Sequence, residues 1–154
     1  MCPAERPTGA EAARPLARPA VAASKARFSR AAAAQIVGLA PSALSRWEDL
    51  LLAQAGFALG EALSVADLVS LAVLSATVRC LGASAEDFAI GHARVFEALC
   101  GRPDVERLDA YVALVGRDSA RLTDQYDEAR CAAEDLLIIP LRPILADFRS
   151  QAFA

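Results

Sequence analysis

Apolar positions fall into blocks of different spacing along the chain, and the first block has no spacing at all. Residues 1–26 (MCPAERPTGAEAARPLARPAVAASKA) contain Pro3, Pro7, Pro15 and Pro19 and show no apolar period. Each proline removes a backbone donor and biases its predecessor toward extended geometry, so this stretch reads as a flexible Pro/Ala/Arg tail. Pattern begins at Phe28. Ser29 is a suitable N-cap for Arg30-Ala-Ala-Ala-Ala-Gln-Ile-Val37, and Gly38 can take the left-handed geometry that stops a helix. Pro41 suits a first helical turn, where its missing N–H costs nothing, and a second short helix then runs to Asp49. Two short helices joined by a glycine-containing turn form a helix-turn-helix, with Ile36, Leu39, Leu44 and Trp47 as the apolar junction.

From Leu50 to Leu63 the helical period is lost around Gly56 and Gly60, and a short two-stranded hairpin fits. Ser64-Val-Ala-Asp67 has the spacing of a capping box. The helix it opens carries Val65, Leu68, Val69, Leu71, Ala72, Leu74 and Val78 over most of its circumference, which predicts a central, buried helix ending at Gly82. Ser84-Ala-Glu-Asp87 opens a further helix with Phe88, Val95, Phe96 and Leu99 on one side, closed at Gly101-Arg-Pro103. Beyond it, Tyr111–Val115 and Leu136–Ile139 are continuous apolar runs that read as strands. Leu122, Tyr126, Ala129 and Ala133 repeat at helical spacing between them, and a last helix follows Pro143. The expected architecture is mainly α: a tail (1–26), a helical domain (27–100), and a C-terminal dimerisation or interaction region (104–154) that is a small strand–helix–strand–helix appendix or all-α.

Composition agrees with helical packing. Of 154 residues, 55% are hydrophobic, many of them alanine, while only 6% are aromatic and 23% charged. The formal net charge is −3, but unevenly spread: the first 30 residues hold six basic and two acidic groups. Four cysteines (Cys2, Cys80, Cys100, Cys131) stand far apart, without a C-x-x-C, and His92 is the one histidine. Zinc sites need clustered ligands, so no metal site and no cofactor is expected, and the thiols read as reduced, partly buried small hydrophobes of a cytoplasmic protein. The N-terminus lacks the continuous apolar stretch of a secretory signal, and Val65–Leu81 is interrupted by polar residues too often for a bilayer span. No nucleophile elbow, Gly-rich phosphate loop or HExxH motif is present, so no catalytic residue and no enzyme is expected. The acids Asp124, Asp127, Glu128, Glu134 and Asp135 read as a solvated helix face.

The order of these elements resembles the MerR-type winged helix-turn-helix. The matching residues are Phe28-Ser29, Ile36-Val37-Gly38-Leu39, Pro41-Ser42, Leu44, Trp47-Glu48, Leu63-Ser64, Asp67-Leu68, Leu71, Leu81-Gly82, Ser84, Glu86 and Asp87, within residues 28–98. The resemblance implies double-stranded DNA as ligand, a homodimer on a two-fold site, and transcription regulation or a phage- or plasmid-type accessory role. Two departures stand out. Ser45 and Arg46 occupy the middle of the recognition helix, where the family typically has an arginine followed by an aromatic. Glu61-Ala62-Leu63 occupies the place of the wing's Arg-x-Tyr, and a carboxylate there repels the DNA backbone.

From the residues themselves, a helix over 41–49 lying in a major groove presents Ser42, Ser45 and Arg46 to base edges and phosphates, with Arg27 and Arg30 as flanking phosphate contacts. Ordinary capping and solvation account equally well for the two serines, and an ion pair with Glu48 or Asp49 is the competing role for Arg46. The expectation is a non-enzymatic DNA-binding protein without membrane contact. The other reading is an interaction or assembly protein on the same scaffold that binds a protein partner and little or no DNA.

Overall fold

The first helix forms because four alanines in a row, the strongest helix formers, follow a serine cap. In this computed structural model, which describes residues 26–82, 84–100, 102, 104–125 and 136–152, α1 spans Arg30–Val37. Ser29 accepts the Ala32 N–H at 3.2 Å. Gly38, at φ 75°, ends the helix, and the Leu39 N–H closes back on the Ala34 carbonyl at 2.7 Å. The tail expected over residues 1–26 lies, except for Ala26, outside the described residues.

Helix α2 spans Pro41–Ala55, six residues past the expected end. This corrects the sequence reading of a hairpin over Leu50–Leu63. The helix continues because Leu51 falls four residues after Trp47 and extends the buried stripe begun by Leu44. It stops at Gly56, where the N–H groups of Gly56 and Phe57 return to the Leu52 and Leu51 carbonyls at 3.0 and 3.2 Å. The segment that follows is a loop tied by a single antiparallel bridge, Phe28 to Leu63, with bonds of 2.8 and 2.9 Å. Within it Phe57 turns in against Phe96, ring centroids 4.8 Å apart.

Helix α3 (Val65–Leu81) starts as expected: the Asp67 N–H donates to Ser64 Oγ at 3.2 Å, and the Ser64 N–H to Asp67 Oδ2 at 2.8 Å. It is buried nearly all round, and its hydroxyls at Ser70 and Thr77 donate to the Ala66 and Val73 carbonyls, each at 2.8 Å. The next segment differs in detail from expectation. Ala85–Phe88 is a tight 3₁₀ turn with no side-chain cap from Ser84, and α4 proper spans Ala89–Cys100. Val95, Phe96 and Leu99 are buried there, and Phe88 is half-buried.

A 3₁₀ turn at Val105–Arg107 leads into a three-stranded antiparallel sheet of β1 (Tyr111–Val115), β2 (Ser119–Thr123) and β3 (Leu136–Pro140), ordered β2-β1-β3. Tyr111 pairs with Thr123 and with Pro140, and Val115 with Ser119 and with Leu136. Strands β1 and β3 were expected; β2 was not. Leu122, read as helical, belongs to β2, while Tyr126, Ala129 and Ala133 lie outside the described residues. The β1–β2 turn passes so close to α4 that a Cβ on Gly91 would sit 3.0 Å from the Arg117 carbonyl oxygen. Helix α5 (Leu141–Ala152) begins directly at the end of β3, with Pro143 in its first turn and Leu141, Leu145 and Phe148 buried.

The chain is therefore mainly helical with a small three-stranded sheet, and α3 is the strut: α1, α4, α5, β3 and the Val105–Arg107 turn all pack on it. No single helix among the described residues is long and apolar enough to cross a membrane. Cys80 and Cys100, expected to be partly buried, are exposed because both fall on outer helix faces near the C-terminal ends of α3 and α4. Cys2 and Cys131 lie outside the described residues.

His92 sits fully buried between α3 and α4, its Nδ1 2.9 Å from the Phe88 carbonyl and its Nε2 3.1 Å from Thr77 Oγ1. Burial pushes the imidazole down to about 4, against the opposing hydrogen bond to Phe88, so the folded protein holds it neutral. The unfolded chain titrates it at its ordinary value of about 6.5. Stability from this source is complete above pH 6.5 and declines as pH falls toward 4, because the unfolded state takes up the proton first. Urea unfolding should show a loss of about 2–3 kcal/mol between pH 7 and 4.5. H92Q should flatten that slope; an unchanged slope in H92Q contradicts the assignment.

Candidate nucleic-acid interface

The corner between α1 and α2 is set by burial on both sides of the turn. Leu44 and Trp47 are buried, Ile36 and Leu39 pack half-buried against the same core, and α2 rests on α1 and α4. With Leu44, Trp47 and Leu51 facing inward, the helical period turns Ser42, Ser45, Arg46, Asp49 and Leu52 outward, and all five are exposed. Neither α5 nor the sheet buries this face.

The residues named from sequence divide into two groups. Ser42, Ser45 and Arg46 share the outward face within the first two turns of α2. Among the described residues no ion pair engages Arg46. The competing expectation, that it pairs with Glu48 or Asp49, is thus not what this geometry has. Arg27 is exposed just before α1 and donates to the Ala26 carbonyl at 3.1 Å.

Arg30 is placed differently from the outward phosphate contact expected of it. Its guanidinium grips the Glu48 carboxylate with both terminal nitrogens, Nη1 to Oε2 and Nη2 to Oε1, the second at 2.6 Å. Nη2 also donates to the Gly60 carbonyl at 3.3 Å. One side chain therefore joins the start of α1, the middle of α2 and the loop after it. The hydrogen bond from Arg30 holds the Glu48 carboxyl below its usual range, with burial acting in the opposite direction. The same bond raises the guanidinium, with Glu61 adding a smaller attraction. Nothing local in the sequence announces this pair, because 18 residues separate its members.

The N-terminal turn of α2 is electrostatically open. Ala40 provides no side-chain cap, and the first turn contains no acid. The N–H groups of Ala43 and Leu44 fold back on the Ala40 carbonyl at 2.9 and 3.2 Å. Partial positive charge therefore remains beside Ser42. Acids border the face farther along: Asp49 is exposed one turn beyond Arg46, and Glu61 is exposed on the loop. Among the described residues no group of three or more His, Cys, Asp and Glu comes together to hold a metal ion. Asp124 is exposed, and the acids at 127, 128, 134 and 135 lie outside the described residues.

No family model, curated protein or solved structure matches this chain.

The Arg30–Glu48 pair is partly exposed, so its coupling is expected to be modest. Double-mutant unfolding with R30A and E48A should give roughly 0.5–1 kcal/mol at low salt and less at high salt. The contribution is full above pH 4.5 and fades as acid protonates Glu48. Zero coupling at low salt and neutral pH argues against the clamp.

Proposed function

We propose that this chain is a sequence-specific DNA-binding protein, a transcription regulator or an accessory factor of the winged helix-turn-helix type, akin to the MerR-type family. Helix α2 enters the major groove, Arg46 meets a guanine edge or a phosphate, and Ser42 and Ser45 hydrogen-bond beside it. The observation that carries this reading is the outward face of α2, where these three side chains stand together next to a helix start free of acid. The loop after α2, tied at its base by the Phe28–Leu63 bridge, takes the place of a wing without forming a hairpin. Arg30 acts here as a positioning residue, fixing α2 and the loop, and Arg27 flanks the contact. A single short helix with few cations meets too few phosphates for a unique site, so the binding form is a homodimer.

A second reading has its own observation. Leu52 lies on the same face and is 53% exposed, with Asp49 one turn before it. An apolar side chain beside an acid suits a protein partner better than a duplex, which supports the assembly role.

Selection of bound duplexes from a random pool separates the two and identifies the site. DNA binding predicts an enriched sequence with affinity falling steeply with salt. R46A should weaken binding to it by roughly tenfold or more, while D49N should tighten it. No enrichment, or full affinity in R46A, shifts the assignment to the assembly reading. Sedimentation showing only monomer, with and without duplex, rules out the dimer.

A further inference from the structure

Helix α5 turns two faces in different directions. Leu141, Leu145 and Phe148 enter the core, while Arg142 and Arg149, two turns apart, border a groove closed on its other side by the segment Arg107-Leu108-Asp109. The groove has a volume of about 290 Å³, at the lower end of the range of small-ligand sites. Three guanidinium groups and one carboxylate line it, in a chain whose overall charge is −3. Leu108 and Leu145, 8% and 5% exposed, form an apolar floor beneath the charges.

The start of α5 adds a second observation. Its first turn contains no acid, yet Arg142 places a cation at the positive end of the helix, where the dipole disfavours it. The Leu141 N–H is spent on the Ala110 carbonyl at 3.0 Å, and Pro143 has none, so backbone donors relieve little there. Among the described residues, no ion pair joins Asp109 to Arg107 or Arg142. Arg107 and Arg142 thus place positive charge at the edge of a concave site, and planar guanidinium forks match the oxygens of a phosphate.

We propose that this groove binds a small phosphate ester, with Arg107 and Arg142 on the phosphate and the Leu108–Leu145 floor under the remainder of the molecule. A duplex backbone would use the arginines but has no need of a concave apolar floor, which is why the small ester is preferred. The site stands apart from α2 and does not depend on the DNA-binding reading.

The test titrates the full chain at low salt with adenosine monophosphate and, separately, with inorganic phosphate, followed by calorimetry. Saturable one-to-one binding of the nucleotide is expected. The double variant R107Q/R142Q, both positions being exposed, should keep its circular dichroism and bind roughly tenfold or more weakly. D109N should bind more tightly, since it removes the carboxylate found among the described lining residues, and R46Q should bind unchanged. Tighter binding of the nucleotide than of phosphate confirms the apolar floor; equal binding confines recognition to the phosphate and overturns the role given to the leucines. Absence of saturation with both probes, undiminished binding in R107Q/R142Q, or binding of duplex alone overturns the site. Because R46Q reports on α2 only, loss of the DNA reading and loss of this one are separable.

Discussion

A helix that is apolar over most of its circumference has to be covered, and α3 is such a helix up to its last turn, where Arg79, Cys80 and Leu81 are exposed. Ten of its seventeen residues are buried, so the chain must supply neighbours around nearly its whole circumference. Helices α1, α4 and α5 do this with β3 and the Val105–Arg107 turn. The polar groups carried inside find local partners: Ser70 donates to the Ala66 carbonyl, the neutral His92 donates Nδ1–H to the Phe88 carbonyl, and the single Thr77 hydroxyl proton is placed between the Val73 carbonyl and His92 Nε2. An unpaired hydroxyl in that position would cost about 1–3 kcal/mol, and a charged imidazole is disfavoured there by the same burial. The fold is more stable while His92 is neutral, which ties the core to pH.

The covering of α3 leaves α2 with a lighter task. It packs on α1 and α4 with one narrow stripe, Leu44, Trp47 and Leu51, and nothing in the sheet or α5 comes over its other side. An outward face follows from this packing. Its chemistry is a matter of which residues fall there, and the 3.6-residue period selects Ser42, Ser45, Arg46, Asp49 and Leu52. That face is polar and cationic at the start of the helix and acidic and apolar toward its end. The two functional readings draw on opposite ends of the same surface.

Local signals in the sequence carried most of the helical half. Ser29, Gly38, Pro41, Ser64, Asp67 and Gly82 mark helix ends by short-range hydrogen bonding and backbone geometry, which one stretch of chain is enough to express. Gly56 misled in a specific way. A glycine among apolar residues is equally the start of a hairpin and the stop of a helix, and only the Leu44–Trp47–Leu51 stripe, completed by tertiary burial, distinguishes them. Strand β2 was hidden for a related reason: Ser-Ala-Arg-Leu-Thr lacks a continuous apolar run and is a strand because β1 pairs with it. Of the site, the outward residues of α2 were legible from spacing. The Arg30–Glu48 clamp and the groove of Arg107, Arg142 and Arg149 were not, since both join side chains far apart in the chain.

The clamp also changes how acidity near α2 should be counted. Glu48, Asp49 and Glu61 all lie near the helix, and summed as formal charges they outweigh Arg46 and Arg30. Glu48, however, is held by both nitrogens of Arg30 in a half-buried setting, so that pair presents little net field to a ligand. Glu61 is partly offset by the same guanidinium. What remains outward is Arg46 against Asp49, with the positive helix start on the side of Arg46. An anion approaching the first turn of α2 therefore meets a weakly favourable surface, even in a chain whose total charge is negative. In ordinary salt, charges more than about 10 Å away are largely screened, so the total charge of the chain counts for little at the contact. Within that distance the arrangement of four or five side chains decides, and here the intramolecular pairing of Arg30 is what leaves Arg46 in command of the N-terminal end.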